Sequence, residues 1–304
     1  MKNKVLIEEL NKPLPGSSDL YFPTKYSQSF LKQCLACLWK QNLSYWRNPS
    51  YNAVRFFFTT TIALLFGTIF WDLGGKVEKP QDLFNAMGSM YGAVLFIGFV
   101  NANSVQPVVA VERTVFYRER AAGMYSAFPY AFGQVVIELP YGLVQAGIYG
   151  IIVYAMIGFE WTAAKFFWYL FFMYFTLLYF TFYGMMAVGL TPNYFIASIV
   201  SSAFYSIWNL FSGLFVPRPK IPIWWRWYCW ICPVAWTLYG LIVSQFGDIT
   251  MPMDDGTPVN VFLENYYDFK HSWLGWVALV VVAFAVLFAF LFAFAIMNLN
   301  FQKR

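Results

Sequence analysis

The chain has 304 residues, of which 60% are hydrophobic and only 12% charged, with a formal net charge of +5. Soluble domains carry about 25% charged residues, so a chain this apolar cannot enclose its hydrophobic surface in one water-soluble core. The composition therefore excludes an ordinary soluble protein and indicates a polytopic membrane protein. The basic residues are dispersed and form no patch of the kind that binds nucleic acid.

The N-terminal region is polar and contains Pro13, Pro15 and Pro23, which predicts a mostly extended cytosolic arm over residues 1–27. Residues 1–20 contain no apolar core of a signal peptide, so the first span is expected to direct insertion. In residues 28–47, apolar positions recur near helical spacing. This pattern predicts a helix at the membrane interface that ends before Asn48 and Pro49.

Apolar runs predict six membrane-spanning helices, because a helix needs about 20 apolar residues to cross a bilayer. The spans are placed at about 51–73, 83–111, 126–157, 166–190, 195–216 and 273–299. Arg55 is expected to reach from the first turn of the first span to the membrane surface. Pro140 predicts a kink or a shallow entry in the third span, because proline removes a backbone hydrogen bond.

The sequence ERTVFYRER at 112–120 is the dense charge cluster in the middle of the chain. Residues 83–111 before it contain no charged residue, and residues 124–159 after it contain one, Glu138. The cluster therefore has to lie in water between two spans. We interpret it as a short amphipathic helix on the membrane surface, where a soluble partner could push; the alternative is a solvated loop that fixes only the topology.

Residues 217–272 predict an outer loop with short re-entrant helices between the fifth and sixth spans. Residues 227–247 are uncharged and long enough to cross, but Pro233 interrupts them and tryptophans gather at one end, as in an interfacial belt. Six spans return the C-terminus to the side of the N-terminus, where most of the basic residues then lie. This bias favours cytosolic termini, with residues 300–304 as a cytosolic tail.

Catalytic and metal-binding patterns are sparse in this sequence. It has one histidine, which argues against histidine-rich metal oxidases, and it has neither a phosphate-binding loop nor a Gly-x-Ser-x-Gly motif. The pairs Cys34 with Cys37 and Cys229 with Cys232 are expected on opposite sides of the membrane, where they cannot share one ion. Cys229 and Cys232 either form a disulfide or pack as free thiols. We expect no enzymatic activity, cofactor or metal in this chain.

Polar side chains inside two spans raise the question of a cavity. They are Asn101, Asn103, Ser104 and Gln106 in the second span, and Ser201, Ser202, Ser206 and Asn209 in the fifth. Such side chains are costly in the membrane, and they either line a shared cavity or join helix to helix by hydrogen bonds. Glu138 is expected either to pair with a basic residue near the surface, for which the charge cluster offers candidates, or to face water at headgroup depth.

Several longer motifs carry a family resemblance that covers essentially the whole chain. They are SDLYFPTKYSQSF at 18–30, LWKQNLSYWRNPSYNAVRFFFT at 38–59, VERTVFYRERAAGMYS at 111–126, ELPY at 138–141, FSGLFVPRPKIPIWWRWYCWICPVAWTLYGLIVSQFGD at 211–248 and the ending NFQKR. These motifs resemble the plant pleiotropic-drug-resistance transporters, which belong to the G subfamily of the ATP-binding-cassette (ABC) transporters. The resemblance implies an all-α, ABC-2 type transmembrane domain at 28–299, the second membrane domain of a full-size transporter.

The resemblance also implies roles for particular residues. Residues 28–47 would be a connecting helix, and residues 112–120 would be the coupling helix that contacts a nucleotide-binding domain. The implied coupling residues are Glu112, Arg113, Arg118, Glu119 and Arg120. The implied substrate cavity, between the second and fifth spans, is formed by Ile97, Val100, Ser202, Ser206 and Asn209. Leu214 and Phe215 would form an apolar plug between this cavity and the outer exit.

The resemblance finally implies a plasma-membrane exporter of amphipathic or apolar small molecules. Its partners would be the bilayer, a second membrane domain, and nucleotide-binding domains that hold ATP and magnesium and drive the spans by a rigid-body shift. Because this chain lacks the ATPase parts, we expect a fragment or an unusual half of a longer transporter. The alternative is a passive channel or a subunit that assembles without transporting.

Overall fold

The computed structural model describes residues 2–12, 16–17 and 24–301, and these residues form α-helices and loops with no β-strand. The helices of the described residues are α1 (Lys2–Leu10), α2 (Phe30–Trp46), α3 (Pro49–Ile69), α4 (Pro80–Ala121), α5 (Ala127–Ile157), α6 (Ala163–Leu190), α7 (Tyr194–Leu210), α8 (Ile223–Ile231), α9 (Pro233–Phe246), α10 (Val259–Tyr267) and α11 (Leu274–Asn298). The predicted all-α class is confirmed.

Five helices of the described chain are long and apolar enough to cross a membrane: α3, α4, α5, α6, and α11 with the turn before it. The predicted fifth span is shorter than expected, because α7 has 17 residues and covers only about 25 Å. It ends at Leu210, and three residues later Gly213 takes a left-handed conformation at φ 93°, so the chain turns and the helix does not continue to residue 216. The third span runs without interruption through Pro140.

α6 lies at the centre of the bundle, where it packs against α4, α5, α7, α9 and α11. Close approach between α4 and α6 depends on Gly184. A methyl group added there would lie 2.4 Å from the backbone oxygen of Ala102 on α4. Small residues let membrane helices approach in this way, since packing and not the hydrophobic effect drives their association.

The helices α8 and α9 meet at a 77° bend between Ile231 and Pro233. All 14 residues of α9 are buried, whereas α8 exposes most of its tryptophan side chains. Proline is tolerated in the first turn of α9 because its missing N–H would have no helical partner there. The bent pair agrees with the predicted re-entrant helices, and its length and composition would also suit a broken span.

The two ends of the bundle differ in character. The loop end comprises residues 70–79, 158–162 and 217–272, and it is held together by an Asp254 N–H donating to the oxygen of Glu78 at 2.9 Å and by an ion pair between Lys165 and Asp248 at 2.9 Å. The charged end comprises residues 29–47, 112–126, 188–193 and 297–301. Here the N–H of Phe301 donates to the hydroxyl of Tyr117 at 3.4 Å, so the last described residue returns to α4.

The N-terminal arm corrects one expectation. Residues Lys2–Leu10 form a helix and not an extended arm, because the sequence KNKVLIEEL consists largely of good helix formers and the first proline comes only at position 13. Residues 1, 13–15 and 18–23 of the arm, and residues 302–304 of the expected tail, lie outside the described residues.

Candidate functional site

A cavity of about 490 Å³ lies between α4, α6 and α7, close to the start of α9. Its wall is mainly aromatic and carries a few polar groups from α7. The lining residues are Leu95, Phe96 and Phe99 of α4, Phe180 of α6, Ser202, Tyr205, Ser206, Trp208 and Asn209 of α7, and Val234 of α9. A largely apolar wall with few polar groups suits small molecules, and its volume lies within the usual range of ligand pockets.

The polar groups of the cavity differ in how well they are satisfied. The hydroxyl of Ser206 donates to the backbone oxygen of Ser202 at 3.0 Å, one turn earlier in α7. The side-chain oxygen of Asn209 is buried and accepts no hydrogen bond in the described structure. A buried polar atom without a partner is costly, so Asn209 Oδ1 is available to a donor on a bound molecule.

The structure brings together three of the five predicted cavity residues, Ser202, Ser206 and Asn209. Ile97 and Val100 do not line the cavity: Ile97 is buried in the helix bundle and Val100 is half-buried. Ile97 points about 100° away from Phe96, whereas Val100 is one turn after Phe96 and lies beside the same face without lining the cavity. The cavity role of Ile97 and Val100 stays a prediction. The sequence analysis missed the aromatic stripe of Phe96 and Phe99.

The predicted plug residues follow the end of α7 at the loop end. Phe215 is 63% exposed, and its ring meets that of Tyr91 edge-on with 5.7 Å between the centres. The hydroxyl of Tyr91 donates to the backbone oxygen of Asn209, which lines the cavity. Leu214 is half-buried against the core. The plug role of these two residues stays a prediction.

The other polar residues of the second and fifth spans mostly join helices together. Gln106 of α4 donates to the hydroxyl of Ser201 on α7 at 3.0 Å, and Asn101 of α4 exchanges hydrogen bonds with Gln145 of α5 at 2.9 and 3.0 Å. Asn103 donates to a backbone oxygen of its own helix. Of the two alternatives for these residues, the structure therefore favours hydrogen bonding between or within helices over the lining of a cavity.

The charge cluster forms the last turns of α4 and not a separate surface helix. Between Pro107 and Gly123 no proline or glycine interrupts the chain, so α4 continues from the membrane into the charged end. Pro107 lies within α4 between residues 112–120 and the cavity residues Phe96 and Phe99, and the helix continues through it. The charge cluster and the cavity wall therefore belong to the same helix.

Arg113 is buried and occupies the turn that joins α6 to α7. Its guanidinium group donates to the backbone oxygens of Val188, Thr191 and Pro192. The last carbonyls of a helix lack partners within the helix, and a cation there also offsets the negative end of the helix dipole. Arg113 thus fixes α4 to the α6–α7 turn and is not free to contact a partner.

Two contacts fix α2 to the charged end of α4. The ammonium group of Lys40 donates to both carboxylate oxygens of Glu119 at 2.5 and 2.7 Å, and the hydroxyl of Ser44 donates to Glu112 at 2.7 Å. The hydroxyl of Tyr125 donates to Glu119 as well. Of the predicted coupling residues, only Arg118 and Arg120 are left exposed.

A buried ion pair lies near the charged end, between two residues that the sequence analysis did not pair with each other. Arg55 of α3 is 2% exposed and donates to Glu138 of α5, which is fully buried, at 2.7 Å. Arg55 also donates to Gln145 at 2.7 Å, and the hydroxyls of Tyr45 and Tyr51 donate to Glu138.

Glu138 pairs with a basic residue, which was one of the two expectations for it, but that residue is Arg55 and not a member of the charge cluster. Arg55 was expected to reach the membrane surface, and its side chain is instead buried in the bundle. The signal in the sequence was the presence of one cation and one anion within apolar spans, because charges inside a membrane usually pair with each other.

The four cysteines are free and buried, so Cys229 and Cys232 pack as thiols. In the described part of the chain no three His, Cys, Asp or Glu side chains come close enough to hold a metal ion.

Comparison with known proteins identifies relatives over the whole chain. The family model described as "ABC-2 type transporter" matches residues 32–246. The chain is 84% identical to ABC transporter G family member 36 of Oryza sativa subsp. indica, 73% to member 37 of Oryza sativa subsp. japonica and 69% to member 40 of Arabidopsis thaliana. Each match covers 100% of this chain and 21% of the relative, so the chain spans about a fifth of these relatives' length.

Proposed function

The chain belongs to the ABC-2 type transporter family and is an integral, multi-pass membrane protein, and from this premise we propose that it exports amphipathic or apolar small molecules. The observation that carries the proposal is the cavity of about 490 Å³ between α4 and α7, whose aromatic wall and few polar atoms suit such molecules. Ser202, Ser206 and Asn209 would supply its hydrogen bonds.

The cavity is open on one side. A second membrane domain would pack there and close it. Phe96 and Phe99 line the cavity and are about half exposed, and Ile199 on the neighbouring face of α7 is 71% exposed. A contiguous apolar face suits lipid or another set of apolar helices. The second membrane domain and the nucleotide-binding domains, with their ATP and magnesium, would belong to the longer protein.

A nucleotide-binding domain would act on this chain at its charged end. Arg118 and Arg120 are exposed on the last turns of α4 and would contact a nucleotide-binding domain on the cytosolic side. Because α4 is one helix from there to the cavity, displacement of its charged end would change the cavity wall directly. This proposal places both chain termini in the cytosol and the loop end outside, in the plasma membrane.

The coupling proposal is tested in the complete natural protein by replacing Arg118 and Arg120 together with alanine. We expect transport and substrate-stimulated ATP hydrolysis to fall by at least tenfold, while the protein still folds, because neither side chain is buried. The matched control replaces the exposed Lys76 and Lys79 of the loop end. Unchanged stimulation in the arginine variant would overturn the coupling role.

The cavity proposal is tested separately with Ser206→Trp, which fills part of the space. Transport should fall, whereas ATP hydrolysis in the absence of substrate should continue, because the charged end is untouched. Transport at the unmodified rate would show that substrates take another route.

A further inference from the structure

Arg218 is buried in the loop end among aromatic rings. It is only 7% exposed, and its guanidinium carbon lies between 4.9 and 5.7 Å from the ring centres of Trp230, Trp236, Tyr239 and Phe269. The ring faces attract a cation, but they provide no countercharge and no strong hydrogen-bond acceptor.

Within the described chain, the charge of Arg218 has cation–π contacts and no ion pair. Its Nε and Nη2 atoms are buried and donate to no atom. Burial lowers the pKa of Arg218. An arginine stays protonated in proteins, so a buried and unpaired guanidinium favours the arrival of an anion.

A cavity of about 360 Å³ adjoins this arginine. Arg218 and Arg226, which stands on α8, contribute its positive charges. Glu264 of α10 and Asp268, directly after α10, contribute its negative charges. Glu264 also forms an exposed ion pair with Lys270 at 3.7 Å, and Arg226 donates to the backbone oxygens of Pro219 and Ile221. The lining of the cavity thus carries charges of both signs, which suits a molecule that carries both signs of charge.

The surroundings of the cavity indicate where that molecule comes from. Trp230 lines the cavity, and Trp224 and Trp227 on the same short helix are 72% and 55% exposed. Exposed tryptophans gather at the depth of the lipid headgroups, because the ring is apolar and its N–H is polar. The cavity thus opens beside a helix suited to the membrane–water interface.

We propose that this cavity binds the zwitterionic headgroup of a phospholipid, with its phosphate against Arg218 and Arg226 and its ammonium group against Glu264 and Asp268. The site is separate from the cavity between α4 and α7 and shares no lining residue with it. The inference therefore does not depend on the transport proposal.

Native mass spectrometry of the complete natural protein tests this site with three probes: phosphatidylcholine, phosphatidylglycerol and free phosphocholine. Phosphatidylcholine should bind most tightly, because it alone combines both charges with membrane anchoring. Arg218→Gln should weaken both lipids by roughly tenfold, the effect of losing one charged hydrogen bond. Lys220→Gln is the matched control, since Lys220 is exposed in the same loop and does not line the cavity.

Asp268→Asn tests the contribution of the ammonium group separately from that of the phosphate. Asp268 has φ 61°, a conformation that asparagine also tolerates, so this variant removes the charge and keeps the backbone. It should weaken phosphatidylcholine by roughly tenfold, because the quaternary ammonium group donates no hydrogen bond and loses the attraction of a countercharge, and it should leave phosphatidylglycerol unchanged. This variant, together with Arg226→Gln, decides the question even if Arg218→Gln fails to fold.

Three outcomes would overturn the proposal. Equal binding of phosphatidylcholine and phosphatidylglycerol by the unmodified protein would show that the ammonium group does not contribute to binding. Unchanged lipid binding in Arg226→Gln and Asp268→Asn would place the lipid elsewhere. Binding of free phosphocholine as tight as that of phosphatidylcholine would make the ligand a soluble molecule and not a membrane lipid.

Discussion

Arg55 and Glu138 keep two charges inside a bundle of otherwise apolar helices. Each is almost fully buried, and the hydroxyls of Tyr45 and Tyr51 and the amide of Gln145 satisfy the remaining hydrogen-bonding atoms. The desolvation of such a pair offsets much of its attraction, so its presence is not evidence of high stability. Removing only one of the two charges should lower the stability strongly, because the other charge then stays buried without a partner.

Glu138→Gln is therefore expected to lower the free energy of unfolding by about 3–5 kcal/mol, since it leaves Arg55 unpaired. Thermal unfolding in detergent, followed by tryptophan fluorescence, measures the effect. The double variant Arg55→Met with Glu138→Leu should recover most of the loss, because both charges leave together. A double variant no more stable than Glu138→Gln would contradict this account.

Cys37 of α2 gives a prediction that depends on pH. Burial raises the pKa of its thiol to about 11. Only the thiolate reacts with maleimides, and it makes up about one part in a thousand at pH 8, compared with about a quarter for a free cysteine. In a variant that keeps Cys37 alone, the alkylation rate should rise about tenfold per pH unit from pH 8 to pH 10.

The same variant unfolded in detergent provides the control, since its thiol should titrate near its ordinary pKa. A rate in the folded protein that levels off near pH 9 would show that the thiol is not shielded by α2 and its neighbours.

At the scale of helices, the spans could be predicted from the sequence because length and apolar content are local properties. The extension of α4 through residues 112–120 could also have been predicted from the absence of proline and glycine between Pro107 and Gly123. The rotation of α4 could not, since the direction in which Phe96 and Ile97 point depends on which helices pack against it. The cavity was therefore predicted on the right helices with only part of its residues.

Pairings between distant residues were the least predictable feature. Arg113 contacts the α6–α7 turn, 75 to 79 positions along the chain, and Lys40 contacts Glu119 across 79 positions. The sequence shows that these side chains carry charge, but only the packing of α2, α4 and α6 decides which of them meet. Arg113, predicted to contact a partner, is for this reason occupied within the chain.

The contact between α4 and α6 yields a prediction about packing. Gly184→Ala should lower the free energy of unfolding by about 1–3 kcal/mol, because the added methyl group would lie 2.4 Å from the backbone oxygen of Ala102 and the helices would have to separate. The shift of the thermal midpoint measures it.

Gly147→Ala is the matched control for this packing prediction. A methyl group at this half-buried position in α5 would meet no atom within 4 Å, and alanine favours the helix over glycine by about 1 kcal/mol. This variant should be as stable as the unmodified protein or more so. Equal destabilisation by both variants would rule out the close approach as the cause.

At the scale of the whole molecule, α2 and the charged end of α4 are joined into one rigid unit. Lys40 with Glu119 and Ser44 with Glu112 fix the two helices to each other, and Tyr45 extends the connection to Glu138 on α5. If the longer protein transports by moving rigid bodies, these helices should move together, and the change in shape should occur at the cavity between α4 and α7.

Cysteines at positions 44 and 112 test this division, because the side chains of Ser44 and Glu112 meet at 2.7 Å. In a variant without the four native cysteines, Ser44→Cys and Glu112→Cys are joined by a bis-maleimide that carries a reducible disulfide in its spacer, because the glutamate side chain holds the two backbones too far apart for a direct bond to be assumed. Transport should stay close to that of the untreated variant. Loss of transport on cross-linking, restored by a reductant, would show that α2 and α4 move relative to each other.

The complete enclosure of α9 has a consequence for the biogenesis of the protein. This helix packs against α6, which is synthesised before it, and against α11, which is synthesised after it. Its 14 residues therefore cannot reach their final place until α11 has emerged from the ribosome. A chain that stops before residue 274 would leave α9 without one of its walls and should be removed by cellular quality control.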